Sequence, residues 1–226
     1  DIVFNYLRTN AIVLTPHITA PIGEDDECVP HEIVHLRTGT YNLGFIGVSS
    51  SDETEQFIVW WCEKCRKNCF EEIESGLFVD QKWINLVPGF FDNVGILRHR
   101  GCNVAYWNLH ERHLENRLIN SEYELIFFHF SGIVFDDIDV ISKYQDRYSL
   151  KTRLDIKDLY YEYRDLVYSK GYSKFVGHNY SYENYDDGTP IGPMARRLLL
   201  RSANLREGQT PGGPFRRALS ARATVM

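Results

Sequence analysis

The chain has 226 residues, of which 43% are hydrophobic and 25% charged, and its formal net charge is -6. This composition excludes a disordered chain, a collagen-like repeat and a basic nucleic-acid-binding module. No apolar run reaches the roughly 20 residues of a membrane-spanning helix, so we expect a soluble protein. The aromatic content of 14% suits sugar or nucleoside binding, although many plain cores are equally aromatic.

The first residues and the cysteines indicate the compartment. Asp1–Leu7 lacks the basic and apolar regions of a signal peptide, and a chain that begins at Asp1 is expected to continue upstream. Three of the five cysteines fall within eight residues, unlike the even, well-spread set of a secreted disulfide framework. The sequence therefore predicts a reducing, cytoplasmic environment.

Alternating strands and helices are predicted along residues 1–192. In chain order the pattern predicts strands and helices at Ala11–Leu14 (strand), Leu43–Val48 (strand), Asp52–Cys69 (helix), Val94–Leu97 (strand), Asn103–Trp107 (strand), Leu125–Phe130 (strand) and Arg153–Lys170 (helix). Ser51 is a suitable N-cap for the first helix, and Gly171 ends the second. This order indicates an α/β fold, with a mixed sheet and flanking helices.

The last 34 residues differ sharply in charge. Residues 193–226 contain seven arginines, no lysine and one acid, for a net charge of +6, which leaves -12 on residues 1–192. Glycine and proline in the middle of this segment predict a basic linker or disordered tail. A solvated tail is the favoured interpretation, and contact with acidic lipid, which would hold the protein at a membrane surface, is the alternative.

The cysteine cluster has two interpretations. Cys62 and Cys65 have the spacing of zinc ligands. On the first predicted helix, however, Cys62, Cys65 and Cys69 continue an apolar stripe with Ile58 and Trp61, and no second Cys-x-x-Cys exists. We therefore predict that these thiols pack in the core, with a zinc-stabilised interaction domain as the alternative.

Two polar positions within apolar surroundings are candidate site residues. Asp80 follows a short apolar strand, where a carboxylate needs a hydrogen bond or a ligand, and the alternative is that it caps the following helix. His129 ends an aromatic strand and precedes Ser131 and Gly132, a small-residue turn that lets a ligand approach the backbone. Taken alone, a histidine of this kind is more often a satisfied core residue.

Four motifs, taken in order, resemble the GT-A fold glycosyltransferases, most closely retaining family 8 and related enzymes of bacterial polysaccharide synthesis. The motifs are Asp1-Ile2-Val3, Asn42-x-Gly44, Asp80-Gln81 with Asn85, and His129-Phe130-Ser131-Gly132. Longer strings add to the likeness: Thr15-Pro16-His17, Tyr41–Phe45, Val79–Trp83 and Tyr106–Leu109. The resemblance covers residues 1–192 and implies the C-terminal portion of a GT-A catalytic domain whose nucleotide-binding part lies upstream.

The resemblance implies a role for each matching residue. Asp1 and His129 would bind a divalent cation, Mn²⁺ or Mg²⁺, which holds the diphosphate of a nucleotide-sugar. Asp80 and Gln81 would be the catalytic pair beside the transferred sugar. The substrate-binding residues would be Asn42, Gly44, Asn108 and Gly132.

The expected function is metal-dependent transfer of a sugar from a nucleotide-sugar to a glycan or lipid-linked acceptor, with retention. The sequence departs from the family at Leu43, which replaces a small polar residue, and after Gly132, where Ile133 stands in place of a diphosphate-binding lysine. Lys143 and Arg147 are the substitutes available for that lysine. A non-catalytic carbohydrate-binding module, which keeps the acceptor half alone, is the alternative, and no nucleic acid partner is expected.

Overall fold

The computed structural model describes residues 2–180 and 182–201. The helices are α1 (Ile2–Leu7), α2 (Glu32–Thr38), α3 (Asp52–Asn68), α4 (Val87–Phe90), α5 (Lys157–Ser169), α6 (Tyr172–Phe175) and α7 (Pro193–Arg201). The strands are β1 (Ile12–Pro16), β2 (Tyr41–Val48), β3 (Glu71–Glu72), β4 (Leu77–Phe78), β5 (Val94–Ile96), β6 (Leu114–Glu115), β7 (Leu118–Ile119) and β8 (Tyr123–Glu124). Single 3-10 turns or short 3-10 helices occupy Ile73–Ser75, Gln81–Leu86, Tyr106–Asn108 and Leu154–Ile156.

The central sheet is mixed, as predicted. Its strand order is β2-β1-β5, with β1 antiparallel to β2 and parallel to β5. Ile12 faces Val48 across one pairing and Val94 across the other. Two small antiparallel sheets contain the other described strands: the pair β3-β4 and the three-stranded sheet β6-β7-β8. The protein is thus a mixed α/β fold with small sheets and flanking helices.

Strand β1 is buried along its whole length because both of its faces are covered. Ile12 and Leu14 pack with Phe57 of α3 and with Ile84. Val13 packs on the opposite face with Leu97 and with side chains of α1. Successive strand side chains point to opposite faces, so a fully apolar run is what a doubly covered strand requires. A separate core cluster unites Val104, Leu109, Ile119, Ile141, Leu150, Ile156 and Tyr160.

Both predicted helices are present, with small differences at their ends. Helix α3 spans Asp52–Asn68, and the Ser51 side chain accepts a hydrogen bond from the Thr54 N–H at 3.2 Å, so the predicted cap is confirmed. The second predicted helix begins as the 3-10 turn Leu154–Ile156 and continues as α5, Lys157–Ser169.

The predicted strands at Asn103–Trp107 and Leu125–Phe130 are wrong. In the described chain they form only an isolated parallel bridge between Val104 and Phe128. Asn103 adopts a left-handed φ of 55°, and Tyr106–Asn108 is a 3-10 turn. The Asn108 side chain bonds the backbone of Ala105 and Asn103, and these local bonds compete with strand pairing.

The chain divides into two compact units, residues 1–166 and 167–226. Pro193–Arg201, at the start of the segment predicted as a linker or disordered tail, forms helix α7 in the second unit. Residues 202–226 lie outside the described part of the chain, and the predicted domain boundary at residue 192 stays a prediction. Of the helices described, none has the length and apolar character needed to span a membrane.

Candidate functional site

A cavity of about 460 Å³ opens in the first unit beside the C-terminal end of β1. Its polar lining residues are His17, His35, Thr38, Asn42, Glu71, Gln81 and Ser131. Its aromatic lining residues are Phe78, Tyr106, Trp107 and Tyr144. We call this space the histidine cavity. Its volume lies within the range of about 300–1,000 Å³ that is typical of small-molecule sites.

Four side chains from distant parts of the sequence are linked around Asn42. The Asn42 Nδ2 group lies 3.3 Å from His17 Nε2 and 3.5 Å from Gln81 Oε1. Asn42 Oδ1 lies 3.2 Å from His129 Nδ1 and accepts the Gly44 N–H at 3.0 Å. Because Asn42 Oδ1 is an acceptor, His129 donates from Nδ1, which leaves its Nε2 as the nitrogen with a free lone pair.

The side chains of the neighbouring residues Asp80 and Gln81 lie in different parts of the structure. Gln81 accepts the Leu43 N–H at 3.0 Å and donates to the Thr38 carbonyl at 3.1 Å, so its amide joins β2 to the end of α2. Asp80 does not line the histidine cavity. Its charge contributes to the raised pKa values of Cys65 and Cys69, which places its carboxylate near these two thiols at the C-terminal end of α3.

The backbone before this pair is strained. Val79 has a φ of 41°, which a β-branched residue rarely adopts. The Val79 N–H donates to the Phe70 carbonyl at 2.8 Å, and this bond holds the strained turn. Strain of this kind costs of order 1–3 kcal/mol and clusters at functional sites. The turn directs Gln81 toward the cavity and Asp80 toward α3.

Two glycines permit close approaches at the site. A Cβ atom on Gly44 would lie 2.1 Å from the His129 ring, so the histidine rests directly on the backbone of β2. Gly132 has a φ of 68°, and a Cβ atom there would lie 2.5 Å from Ser142 Oγ and 2.6 Å from Tyr144. Gly132 therefore lets the loop that carries Ser131 pass close to Tyr144 at the cavity wall.

Asn108, an expected substrate-binding residue, is fully buried and engaged with the backbone. Its Nδ2 donates to the carbonyls of His17 and Asn103, both at 2.9 Å, and its Oδ1 accepts the Ala105 N–H at 2.9 Å. These bonds hold the turn that presents Tyr106 and Trp107 to the cavity.

Two stacked histidines give the cavity its electrostatic character. The rings of His17 and His35 lie 4.8 Å apart and nearly parallel. Burial, followed by the charge of His35, lowers the pKa of His17 to about 3. Burial lowers the pKa of His35 to about 4, and burial also lowers the pKa of His129. All three rings are therefore neutral near pH 7.

Among the buried side chains of the described structure that carry a polar atom without a hydrogen-bond partner, two belong to this cavity. Both ring nitrogens of His35 and the indole Nε1–H of Trp107 are in this state, although these residues are only 7% and 2% exposed. Both line the histidine cavity. A buried polar group left without a partner costs about 1–3 kcal/mol, so a ligand with hydroxyl or carbonyl groups would gain by bonding them.

The expected metal site is only partly covered by the described residues. Asp1 lies outside them, and His129 offers a neutral imidazole with Nε2 available. Among residues 2–180 and 182–201, no group of three or more His, Cys, Asp or Glu side chains is arranged to hold a metal ion. The described donor set alone therefore does not fit a complete divalent-cation site.

The prediction that the cysteine cluster packs in the core is wrong for two of its three members. Cys62 and Cys69 are exposed, and only Cys65 is half-buried. The core face of α3 instead carries Thr54 and Phe57. Burial, followed by Cys69 and Asp80, raises the pKa of Cys65 to about 12.

Sequence reasoning missed His35, Tyr144 and the polar role of Trp107. His35 lies in a short helix with no distinctive spacing, and a tryptophan in an apolar string predicts packing. One sequence feature could have indicated that His17 and Trp107 belong to the site, because both lie in the strings that carry the family resemblance. Nothing in the spacing of residues 17, 35 and 107 indicates that they meet.

Comparison with known proteins finds two similar proteins, both uncharacterized. Over 101 residues the chain is 32% identical to the uncharacterized protein YfnD of Bacillus subtilis (strain 168), covering 42% of this chain and 32% of that protein. Over 133 residues it is 28% identical to the uncharacterized protein YfnF of the same organism, covering 57% of this chain and 43% of that protein. No family model matches the chain, and no solved structure matches it. The matched region thus spans less than half the length of either relative.

Proposed function

We propose that this protein is a GT-A-type glycosyltransferase and that the histidine cavity binds the transferred sugar of a nucleotide-sugar. The observation that carries the proposal is the pair of buried, unpartnered polar groups on His35 and Trp107, two residues that line a cavity with aromatic walls. Sugars present hydroxyl groups at their edges and C–H groups on their faces. Such a wall suits both.

The charge of the cavity favours the sugar over the diphosphate. Of the described residues that line it, Glu71 is the one acidic residue, none is a lysine or arginine, and the histidine rings are neutral near pH 7. A diphosphate needs cations, which this lining lacks. In the proposal the nucleotide and its Mn²⁺ or Mg²⁺ therefore bind outside the histidine cavity, with His129 at its edge.

The lining also favours retention within this proposal. Inversion requires a base beside the sugar, and Asp80 lies near the cysteines of α3, outside the cavity lining. Glu71 is exposed at the start of β3. A retaining transfer needs no side-chain base when the leaving phosphate and the attacking hydroxyl act on the same face of the sugar.

A second candidate function is carbohydrate binding without catalysis. It is favoured by the single, exposed carboxylate in the lining. The two candidates share the same cavity and differ in turnover, so one set of measurements separates them.

The test removes a single donor. Trp107→Phe keeps one aromatic ring but removes the five-membered ring of the indole with its Nε1–H, while Trp60→Phe makes the same change on α3, away from the cavity. With a panel of UDP-, GDP- and dTDP-hexoses and Mn²⁺, released nucleoside diphosphate reports turnover, and saturation-transfer NMR with the free hexoses reports binding. For the hexose that binds, we expect about threefold to tenfold weaker binding in Trp107→Phe, the value of one hydrogen bond, and no change in Trp60→Phe.

Each outcome decides between the candidates. Diphosphate release that depends on Trp107 supports the transferase. Hexose binding without release, even by a chain extended upstream of Asp1, supports the binding module. If no hexose binds, or if Trp60→Phe and Trp107→Phe behave alike, both candidates are overturned.

A further inference from the structure

A second cavity lies on the other side of the wall that bounds the histidine cavity. Its volume is about 560 Å³, and it lies at the carboxyl ends of the parallel strands β1 and β5. Pro16, Ile18 and Tyr41 line this second space, whereas His17 and Asn42 line the first. The His17 N–H donates to the Thr40 carbonyl at 2.9 Å, so the wall is closed by a backbone hydrogen bond.

The residues of the second cavity suit a ring with one charged group. Pro16, Pro21, Ile18 and Ile96 supply apolar surface, and Tyr41 supplies an aromatic ring. The carboxyl ends of parallel strands are a common place for ligands, because the chain turns there and leaves a crevice. We call this space the Arg98 cavity after its one lining cation among the described residues.

The charges around this cavity leave Arg98 as the group available to a ligand. Glu32, which also lines it, accepts the Ile22 N–H at 2.6 Å. Glu111 approaches from outside and accepts the Thr19 N–H at 2.6 Å. Arg98 itself is exposed, and within the described chain it makes no hydrogen bond or ion pair. An arginine fork left open beside apolar walls matches a carboxylate or phosphate group.

We propose that the Arg98 cavity is a second binding site, for a saccharide that carries a carboxylate or phosphate. Binding at this site does not depend on the function of the histidine cavity. A role as the acceptor site does rest on the proposed glycosyltransferase function, and it makes the acceptor an acidic sugar.

Three probes test the proposal on the full chain. Glucuronate presents a carboxylate, glucose 1-phosphate presents a phosphate, and methyl glucoside presents neither. Each is titrated while backbone amide chemical shifts are followed in a ¹⁵N-labelled protein. We expect one or both anionic probes to shift the amides of residues 18–20, 41 and 96–98, and the carboxylate and phosphate arms identify which anion the site prefers.

Two variants make the test specific. Arg98→Gln removes the cation, and Arg37→Gln makes the same substitution at an exposed arginine of α2 that lines neither cavity. We expect at least tenfold weaker anion binding in Arg98→Gln and unchanged binding in Arg37→Gln. Because Arg98 is exposed, the remaining amide spectrum should match that of the parent protein.

Several outcomes would overturn the proposal. These are the absence of shifts at residues 18–20, 41 and 96–98, equal shifts with methyl glucoside, and equal losses in the two arginine variants. Shifts confined to residues 35, 42 and 107 would place the probe in the histidine cavity, and they would overturn this second site while supporting sugar binding at the first. Failure of one proposal is therefore distinguishable from failure of the other.

Discussion

At the scale of single residues, the stacked pair His17 and His35 determines how stability depends on pH. Both rings are buried, and the folded-state pKa of each lies well below the ordinary value of 6.5. The unfolded chain therefore binds more protons than the folded chain as the pH falls below about 6.5. The stabilising contribution is complete above that pH and is lost progressively down to the folded-state pKa of about 3 for His17 and about 4 for His35.

This linkage gives a prediction for His17→Gln. Between pH 7.5 and pH 5, one such histidine should cost the parent protein about 2 kcal/mol of unfolding free energy, since each pH unit below 6.5 costs about 1.4 kcal/mol per proton. The variant should lose less stability than the parent over that interval. Urea denaturation at the two pH values measures the difference.

The control for this prediction is His178→Gln, because His178 is exposed. Its pH dependence should match that of the parent. If His17→Gln has the same pH dependence as the parent, the pKa of His17 is the same in the folded and unfolded chains, and burial does not lower it.

At the scale of secondary structure elements, the close approach of β2 to His129 is the feature most sensitive to substitution. Gly44→Ala places a methyl group where the imidazole lies, at 2.1 Å from its nearest atoms, so the ring must move. The hydrogen bond between His129 and Asn42 should be lost with it. We expect a destabilisation of about 1–3 kcal/mol, the usual cost of added volume in a packed site.

Imidazole ¹H–¹⁵N NMR measures this change directly. In the parent, the His129 Nδ1–H should be protected from exchange and observable, and in Gly44→Ala it should be lost. Gly89→Ala on α4 is the matched control, because a Cβ there meets nothing within 4 Å. Retention of the His129 signal in Gly44→Ala would contradict the packing of His129 against β2.

At the scale of the whole molecule, one ion pair joins segments that are far apart in sequence. Arg147 donates to both carboxylate oxygens of Asp26, at 2.6 and 3.1 Å, and to the carbonyls of Cys28 and Pro30. The pair holds the pKa of Asp26 at about 2. Because Val29 and Pro30 line the histidine cavity, the same pair fixes one of its walls.

Asp26→Asn should therefore loosen the segment 23–30. We expect faster cleavage by endoproteinase Glu-C after Glu24 or Glu27, because the segment must leave the surface to enter a protease site. The adjacent, exposed Asp25→Asn is the control and should digest like the parent protein. Equal rates for the two variants would show that the ion pair does not hold this wall.

Local patterns in the sequence predicted the main elements correctly. The strands β1, β2 and β5 and the helix α3 were predicted correctly because apolar runs bounded by turn residues, a serine cap and charged helix ends are read within one segment. The prediction of a strand at Asn103–Trp107 was wrong because the side chain of Asn108 forms hydrogen bonds with the backbone of its own loop. The predicted burial of the cysteines was wrong because the packing of Phe57 against β1 decides which face of α3 is buried.

The sequence by itself determined a mixed α/β protein and singled out Asn42, Gly44, Gln81 and His129, which the structure brings to one place. Only the tertiary structure decided that Asp80 turns toward the cysteines, that His35 stacks on His17, and that residues with unpartnered polar atoms line a cavity. The reason is physical. Periodicity and capping act between neighbours in the chain, whereas burial, the lowering of a histidine pKa and an unpartnered N–H arise from groups that meet only when β1, β2 and the 3-10 turns have packed.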